Sequence, residues 1–330
     1  MASKRYGFKT TVIHRLCFFF DIMFLQFFIP IAALLYDTFG GGRVQMYKWC
    51  VEWLGVRYKK VGKQTCHVPE DGARVMYLCN HRSWGDFIID RVLTGFQGCY
   101  LSRFMVVLGL PIAALLGWLT GAVWFFNRGR KGTDRNALFA MMDRNLHISP
   151  DAGIIVYPEG HRNTKDASLP LKTGCIKYAW DRRIHVQIII ANGKEFILDE
   201  KNLFTRLKQD IRVAFSDAIC PEDYNNYDDF LAAIQNCWRE YWLLVYPEGS
   251  EGGEGKGEAA TPKTKAKGKA RALDTPIEGV RWQPPVIERA IPEDVRAEVE
   301  RAQQLPRAFL QGLRALIVAA PLMAGVVYLS

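Results

Sequence analysis

No C-x-x-C pair occurs among the eight cysteines Cys17, Cys50, Cys66, Cys79, Cys99, Cys175, Cys220 and Cys237. Several of them fall inside apolar stretches, which reads as reduced, packed thiols outside any oxidising compartment. Histidine is scarce, and His14, His67, His147 and His185 lack the spacing of metal ligands, so no metal is expected. Acidic residues are outnumbered, 34 against 43 Lys and Arg, giving a net charge of +9. Such an excess favours anionic partners. With no zinc-finger spacing and no basic helix suited to a groove, nucleic acid is excluded and an anionic lipid surface remains. No small-x-small cleavage site follows the first apolar run, which argues against a removable signal peptide.

Hydrophobic residues make up 49% of the 330-residue chain and aromatics 12%, so wholesale disorder is excluded. The run from Leu16 to Tyr36 is long enough to cross about 30 Å of hydrocarbon as a helix. Lys4, Arg5, Lys9 and Arg15 flank it and favour a cytosolic N-terminus. Asp21 interrupts the run and is expected near the interface or against a polar partner in a neighbouring segment. Residues 44–56 are equally suited to fold back and make a hairpin within one leaflet. A second membrane helix is expected near 308–329, charged only at Arg314. The apolar stretch 105–126 is broken by Pro111, Gly117 and Gly121, which predicts a short helix on the membrane surface followed by a strand.

Between these anchors, strand-like and helix-like segments alternate. Strands are expected at 73–79, 122–126, 153–157, 185–191 and 211–215, and helices at 87–93, 134–146 (capped by Thr133), 172–181 and 228–243. The alternation points to an α/β domain over 57–245, preceded by a membrane-anchoring segment over 1–56. A low-complexity linker follows at 249–275 and a C-terminal segment at 276–330. Six Lys or Arg against three Glu in 251–275 make that linker basic, a disordered tether suited to anionic lipid. YPEG occurs at 157–160 and again at 246–249, but the second copy lacks a following arginine and carries no motif.

The chemistry is concentrated at predicted strand ends, where α/β domains put their functional loops. Asn80-His81-Arg82-Ser83-Trp84-Gly85-Asp86 follows the first expected strand. A turn into a helix would bring His81 and Asp86 together, leaving one imidazole nitrogen free to deprotonate an alcohol. Tyr157-Pro158-Glu159-Gly160-His161-Arg162 follows another strand; Gly160 lets backbone approach a ligand, and Arg162 can grip a phosphate through paired hydrogen bonds. Arg128 leaves a third strand end, and Lys172 begins a helix. Two arginines and a lysine beside a His–Asp pair suit a phosphorylated alcohol.

The order of these blocks resembles the glycerophospholipid acyltransferase family, which includes the 1-acylglycerol-3-phosphate acyltransferases. That family has N-H-x4-D, F-x-x-R, E-G-T-R and then a hydrophobic strand. Here the corresponding residues are His81–Asp86, Phe125–Arg128, Glu159–Arg162 and His185–Ile190. The resemblance implies a mixed sheet flanked by helices, with membrane helices at both ends. It also implies His81 as base, Asp86 as its support, and Arg128, Glu159, Gly160, Arg162 and Lys172 around the acceptor. Acyl-CoA would be a co-substrate, with no cofactor. A lysophospholipid, most simply lysophosphatidic acid, would be the acceptor. The setting implied is a bilayer, that of the endoplasmic reticulum, with the domain facing the cytosol. Acylation of glycerol-3-phosphate or a head-grouped lysophospholipid, and a catalytically silent scaffold, are the competing readings. Two departures bear on substrate: His161 stands where the family has Thr, and the fourth block lacks its proline.

Overall fold

A computed structural model of the chain describes residues 11–36, 41–70, 72–126, 134–247, 281–287, 291 and 293–304, with 308–309, 311–313 and 315 beyond them. Strand β1 (Arg57–Val61) leads to β2 (Val75–Cys79), helix α4 (Asp86–Leu93) and β3 (Gly98–Arg103). Short helices α5 (Val106–Gly109) and α6 (Pro111–Leu119) run into β4 (Val123–Phe126), as the broken apolar stretch predicts. Then come α7 (Arg135–Ile148), β5 (Gly153–Val156), α8 (Gly174–Asp181), β6 (His185–Asn192), β7 (Asp210–Phe215) and α9 (Tyr227–Val245). Asp134 caps α7, its Oδ1 accepting from the Asn136 and Ala137 amides. The expected cap Thr133 lies outside the described residues.

Eight strands form one mixed sheet in the order β4-β3-β5-β2-β6-β7-β1-β8, where β8 is Arg281–Trp282. All neighbours are parallel except β6 with β7 and β1 with β8. Strands β2 and β5 are buried along their whole length. They read as continuous apolar runs because helices cover both faces of the sheet. On one face Val75, Tyr77 and Cys79 pack against Phe18, Leu25, Tyr47 and Leu54 of the N-terminal helices and Ile89 of α4. On the other, Met76 and Leu78 meet Met142 of α7, Ile176 of α8 and Trp238 of α9. This alternation is the two-residue period of a strand.

The N-terminal segment forms α1 (Val12–Met23), a wider turn over Phe24–Phe28, α2 (Ile29–Tyr36) and α3 (Gly41–Leu54). Within it, Val12–Ala32 is the one helix among the described residues long and apolar enough to cross a membrane. Val12, Leu16, Phe19, Phe20 and Met23 are exposed, while Phe18, Ile22 and Leu25 pack inward. Asp21 finds its polar partner in α3, where Trp53 Nε1 donates to its Oδ1 at 3.1 Å. The C-terminal segment returns to the α/β domain. Trp282 packs edge-on to Tyr58 and Phe215, Gln97 donates to the Ile287 carbonyl at 2.7 Å, and Val299 is buried. Most of the expected membrane helix near 308–329, and the basic linker over 249–275, lie outside the described residues.

Candidate active site

The site forms where β2, β5 and β6 end side by side. Asn80 ties two of these ends together: its side chain donates to the Ala191 carbonyl and accepts from the Ala191 amide, both at 2.9 Å. The chain then turns through 81–85 into α4. His81 Nδ1 lies 2.7 Å from Asp86 Oδ2, and the same oxygen accepts the amides of Arg82 at 2.5 Å and Ser83 at 3.2 Å. The five-residue spacing therefore has a physical reason. The turn wraps one carboxylate oxygen with two backbone amides and an imidazole. Gly85 is required by close approach, because a Cβ there would sit 2.5 Å from the Ile197 carbonyl oxygen. Ser83 Oγ fastens the same turn to the Lys194 and Ile197 carbonyls at 2.8 and 2.6 Å.

With Nδ1 committed to Asp86, Nε2 is the nitrogen left to act as a base. Burial holds the His81 pKa below its usual value, helped by Lys194 and Arg162 and opposed by Asp86. Burial thus favours the neutral imidazole over the imidazolium. For Asp86, burial pushes upward, but Lys194 and the His81 contacts outweigh it and keep the carboxyl below its ordinary range. Tyr157 stacks on the imidazole, with ring centroids 4.2 Å apart and planes inclined by 15°.

Glu159 is buried and faces the His81 loop: its Oε1 accepts the His81 amide at 3.0 Å. Burial raises its pKa to about 7. Gly160 turns with φ of 74°, and the stem of Lys172 lies across it where a Cβ would be, 2.4 Å from Nζ. Arg162 makes an ion pair with Glu200, whose other oxygen accepts the Trp84 amide at 3.3 Å. Arg82 is fully buried, bonded to the Asn163 and Lys165 carbonyls and to Glu195. The Asn163 amide donates to the His81 carbonyl at 2.7 Å, so the 157–163 loop is pinned to the His81 turn.

Residues 59–192, which contain the His81–Asp86 turn and the Arg162 loop, match the family model for acyltransferases. Over these residues the chain is similar to the acyltransferase family. Over 209 residues it is 27% identical to the 1-acyl-sn-glycerol-3-phosphate acyltransferase alpha of Homo sapiens, an alignment covering 62% of this chain and 69% of that protein. Identity is 26% over 132 residues with the 1-acyl-sn-glycerol-3-phosphate acyltransferase of Haemophilus influenzae, 38% of this chain and 53% of that one. The 1-acyl-sn-glycerophosphate acyltransferase structure from Thermotoga maritima aligns with a TM-score of 0.44 at 14% identity, over 73% of this chain and 97% of that one.

Within residues 59–192 the structure brings together His81, Asp86, Glu159, Gly160 and Arg162, with Lys172 lying over Gly160. Arg128 lies outside the described residues. Sequence reasoning did not find Lys194, Asp90 or Glu200. Lys194 sits in Ala-Asn-Gly-Lys-Glu, which reads as a solvated turn, and its burial follows only from the packing of β6 beside β2. Beside the dyad an apolar cavity runs under the N-terminal helices, lined by Leu25, Met46, Trp84, Phe87, Leu110 and Ala114.

Proposed function

We propose that this chain transfers an acyl group from acyl-CoA to the free hydroxyl of 1-acyl-glycerol-3-phosphate, making phosphatidic acid. The observation that carries this reading is the 2.7 Å contact of His81 with a buried carboxylate at a strand end, in a family that transfers acyl groups. His81 Nε2 takes the acceptor's hydroxyl proton, and Asp86 stabilises the imidazolium that results. The alkoxide attacks the thioester carbonyl. As the tetrahedral intermediate collapses, the carbon–sulfur bond breaks and the imidazolium returns its proton to the departing thiolate of coenzyme A.

Lysophosphatidic acid as acceptor is supported by the names of the human and Haemophilus influenzae relatives. Arg162 and Lys172, with Arg128, supply the charge for its phosphate. The apolar cavity beside Trp84 suits an acyl chain, and its walls include Leu25 of the N-terminal helix that would enter the bilayer. The basic residues before α1 favour a cytosolic N-terminus, and we assign the enzyme to the endoplasmic reticulum on its lipid-synthetic chemistry.

The test is acyl transfer by detergent-purified protein from oleoyl-CoA to lysophosphatidic acid, glycerol-3-phosphate and head-grouped lysophospholipids. Turnover on lysophosphatidic acid is expected, with a loss of about a thousandfold or more in His81→Ala and an unchanged melting temperature. Turnover confined to another acceptor would retain the mechanism and replace the substrate. Undiminished turnover by His81→Ala would remove His81 from the reaction.

A further inference from the structure

Behind the dyad lies a buried lysine. Lys194 follows β6 and is fully buried. Its Nζ donates to both oxygens of Asp90 at 2.7 and 2.8 Å and stands 3.6 Å from Asp86 Oδ1. That Asp86 oxygen is buried and has no hydrogen-bond partner. The Tyr157 hydroxyl donates to Asp90 Oδ2 at 2.9 Å, and its ring lies against His81. The contacts close a ring: His81, Asp86, Lys194, Asp90, Tyr157 and back to His81. Its members come from the α4 turn, the end of β5 and the end of β6.

One ammonium faces two carboxylates, so its charge acts on Asp86 as well as on Asp90. A buried lysine is costly to desolvate, and its charge acts strongly on near neighbours in a poorly polarisable interior. The nearest charged group beyond Asp90 is the carboxylate that holds the imidazole. We propose that Lys194 is a positioning residue whose charge does two things: it fixes the ionised state of Asp86, which orients the His81 imidazole, and it offsets that carboxylate's pull so that the imidazole stays neutral for proton abstraction. The inference rests on the reading of His81 as the base.

The groups acting on His81 are few. Asp86 and Glu159 face it from the α4 turn and the 157–163 loop, Arg162 from that same loop, and Lys194 from the end of β6; Tyr157 covers one ring face. Asp90 lies on the far side of Lys194, and the buried Arg82–Glu195 pair lies beyond the turn. Burial pushes Asp90 up to about 7 even with Lys194 pulling the other way. As the site is acidified, Asp86 therefore becomes the ammonium's remaining charged partner.

The experiment is the pH profile of kcat/KM with oleoyl-CoA and lysophosphatidic acid in Lys194→Met, Lys194→Arg and Lys194→Met/Asp90→Asn, beside His81→Ala. Removing the cation lets the His81 pKa rise. The acid limb should move up by about 0.5 to 1 pH unit in Lys194→Met and in the double variant. Lys194→Arg keeps the charge and should hold the limb within about 0.2 unit of the parent, even where its larger head lowers kcat. The double variant removes the ammonium together with Asp90, its nearest carboxylate, so it carries the test if Lys194→Met does not accumulate. A lysine that only braces the fold would lower kcat or the melting temperature and leave the limb where it is, and that result overturns the proposal. Activity surviving in His81→Ala would instead sink the reading of the site, so the two failures are separable.

Discussion

Asp86 uses its two oxygens for different tasks. Oδ2 gathers the imidazole and two amides, while Oδ1 is left to the field of Lys194. Glu159 is divided in a similar way, one oxygen on the His81 amide and the other buried without a partner. Its pKa is raised in the folded protein from 4.5 to about 7 by burial. A raised value means that the protonated form favours folding. That contribution is fully present below pH 4.5 and is lost as pH rises through about 7. Glu159→Gln retains an oxygen for the His81 amide and carries no charge. It should flatten the dependence of melting temperature on pH across this window and, above pH 7, exceed the parent in stability by about 1 to 3 kcal/mol. Thermal unfolding in detergent between pH 5 and 8 measures this; a parallel pair of curves would refute it. At this scale the sequence was informative where chemistry forces a spacing. His81 and Asp86 can be paired on paper because only a tight turn joins them. Lys194 and Glu200 cannot, since each reaches the site across a strand order that no local pattern encodes.

Among the elements, those easiest to foresee were the fully buried strands β2 and β5, the largely buried β6 and the amphipathic helix α9. β1 (RYKKV) was missed because three of its five residues are basic. Its charges are tolerated close to the sheet margin, where Arg57 and Lys59 both pair with Asp210 at 2.7 and 2.8 Å. β8 was missed because it has two residues, too few for any alternation, and because a long polar linker precedes it. It nonetheless covers β1, whose unpaired amides and carbonyls would otherwise form an open edge. The strap continues to Ile287, whose amide donates to the Gly95 carbonyl at 3.3 Å. A protease site placed between 255 and 270 gives a direct test. After cleavage the C-terminal fragment should still co-elute with the rest of the chain in detergent, and Trp282→Ala should weaken or abolish that association. Immediate separation of the parent fragments would show that the strap does not hold on its own.

For the whole molecule, two groups of exposed apolar side chains stand together among the described residues, one on the N-terminal helix (Val12, Leu16, Phe19, Phe20) and one around α5 and α6 (Phe104, Met105, Leu108, Trp118). Both sets belong to segments whose inner sides line the apolar cavity. Exposed patches of this kind suit a lipid surface. If α5 and α6 rest on the bilayer, Leu108→Asp together with Trp118→Asp should weaken binding to anionic phospholipid vesicles by about tenfold or more in flotation assays, with the melting temperature little changed. Unaltered binding would restrict lipid contact to α1. Length, composition and strand–helix alternation made the α/β class legible, while the order of strands was not, because neighbours in this sheet are often distant in sequence.

That order has a consequence for synthesis. β1 leaves the ribosome early, directly behind the apolar helices, yet its parallel partner β7 begins at Asp210 and its other partner β8 at Arg281. At ordinary translation rates the wait for β7 is on the order of ten seconds, and β8 comes later still. Throughout that interval a basic strand stands without its sheet partners, directly behind the apolar N-terminal helices. Its three cations keep it soluble and discourage pairing with another chain. The charges that hid β1 from view as a strand are therefore what allow it to wait for its partners.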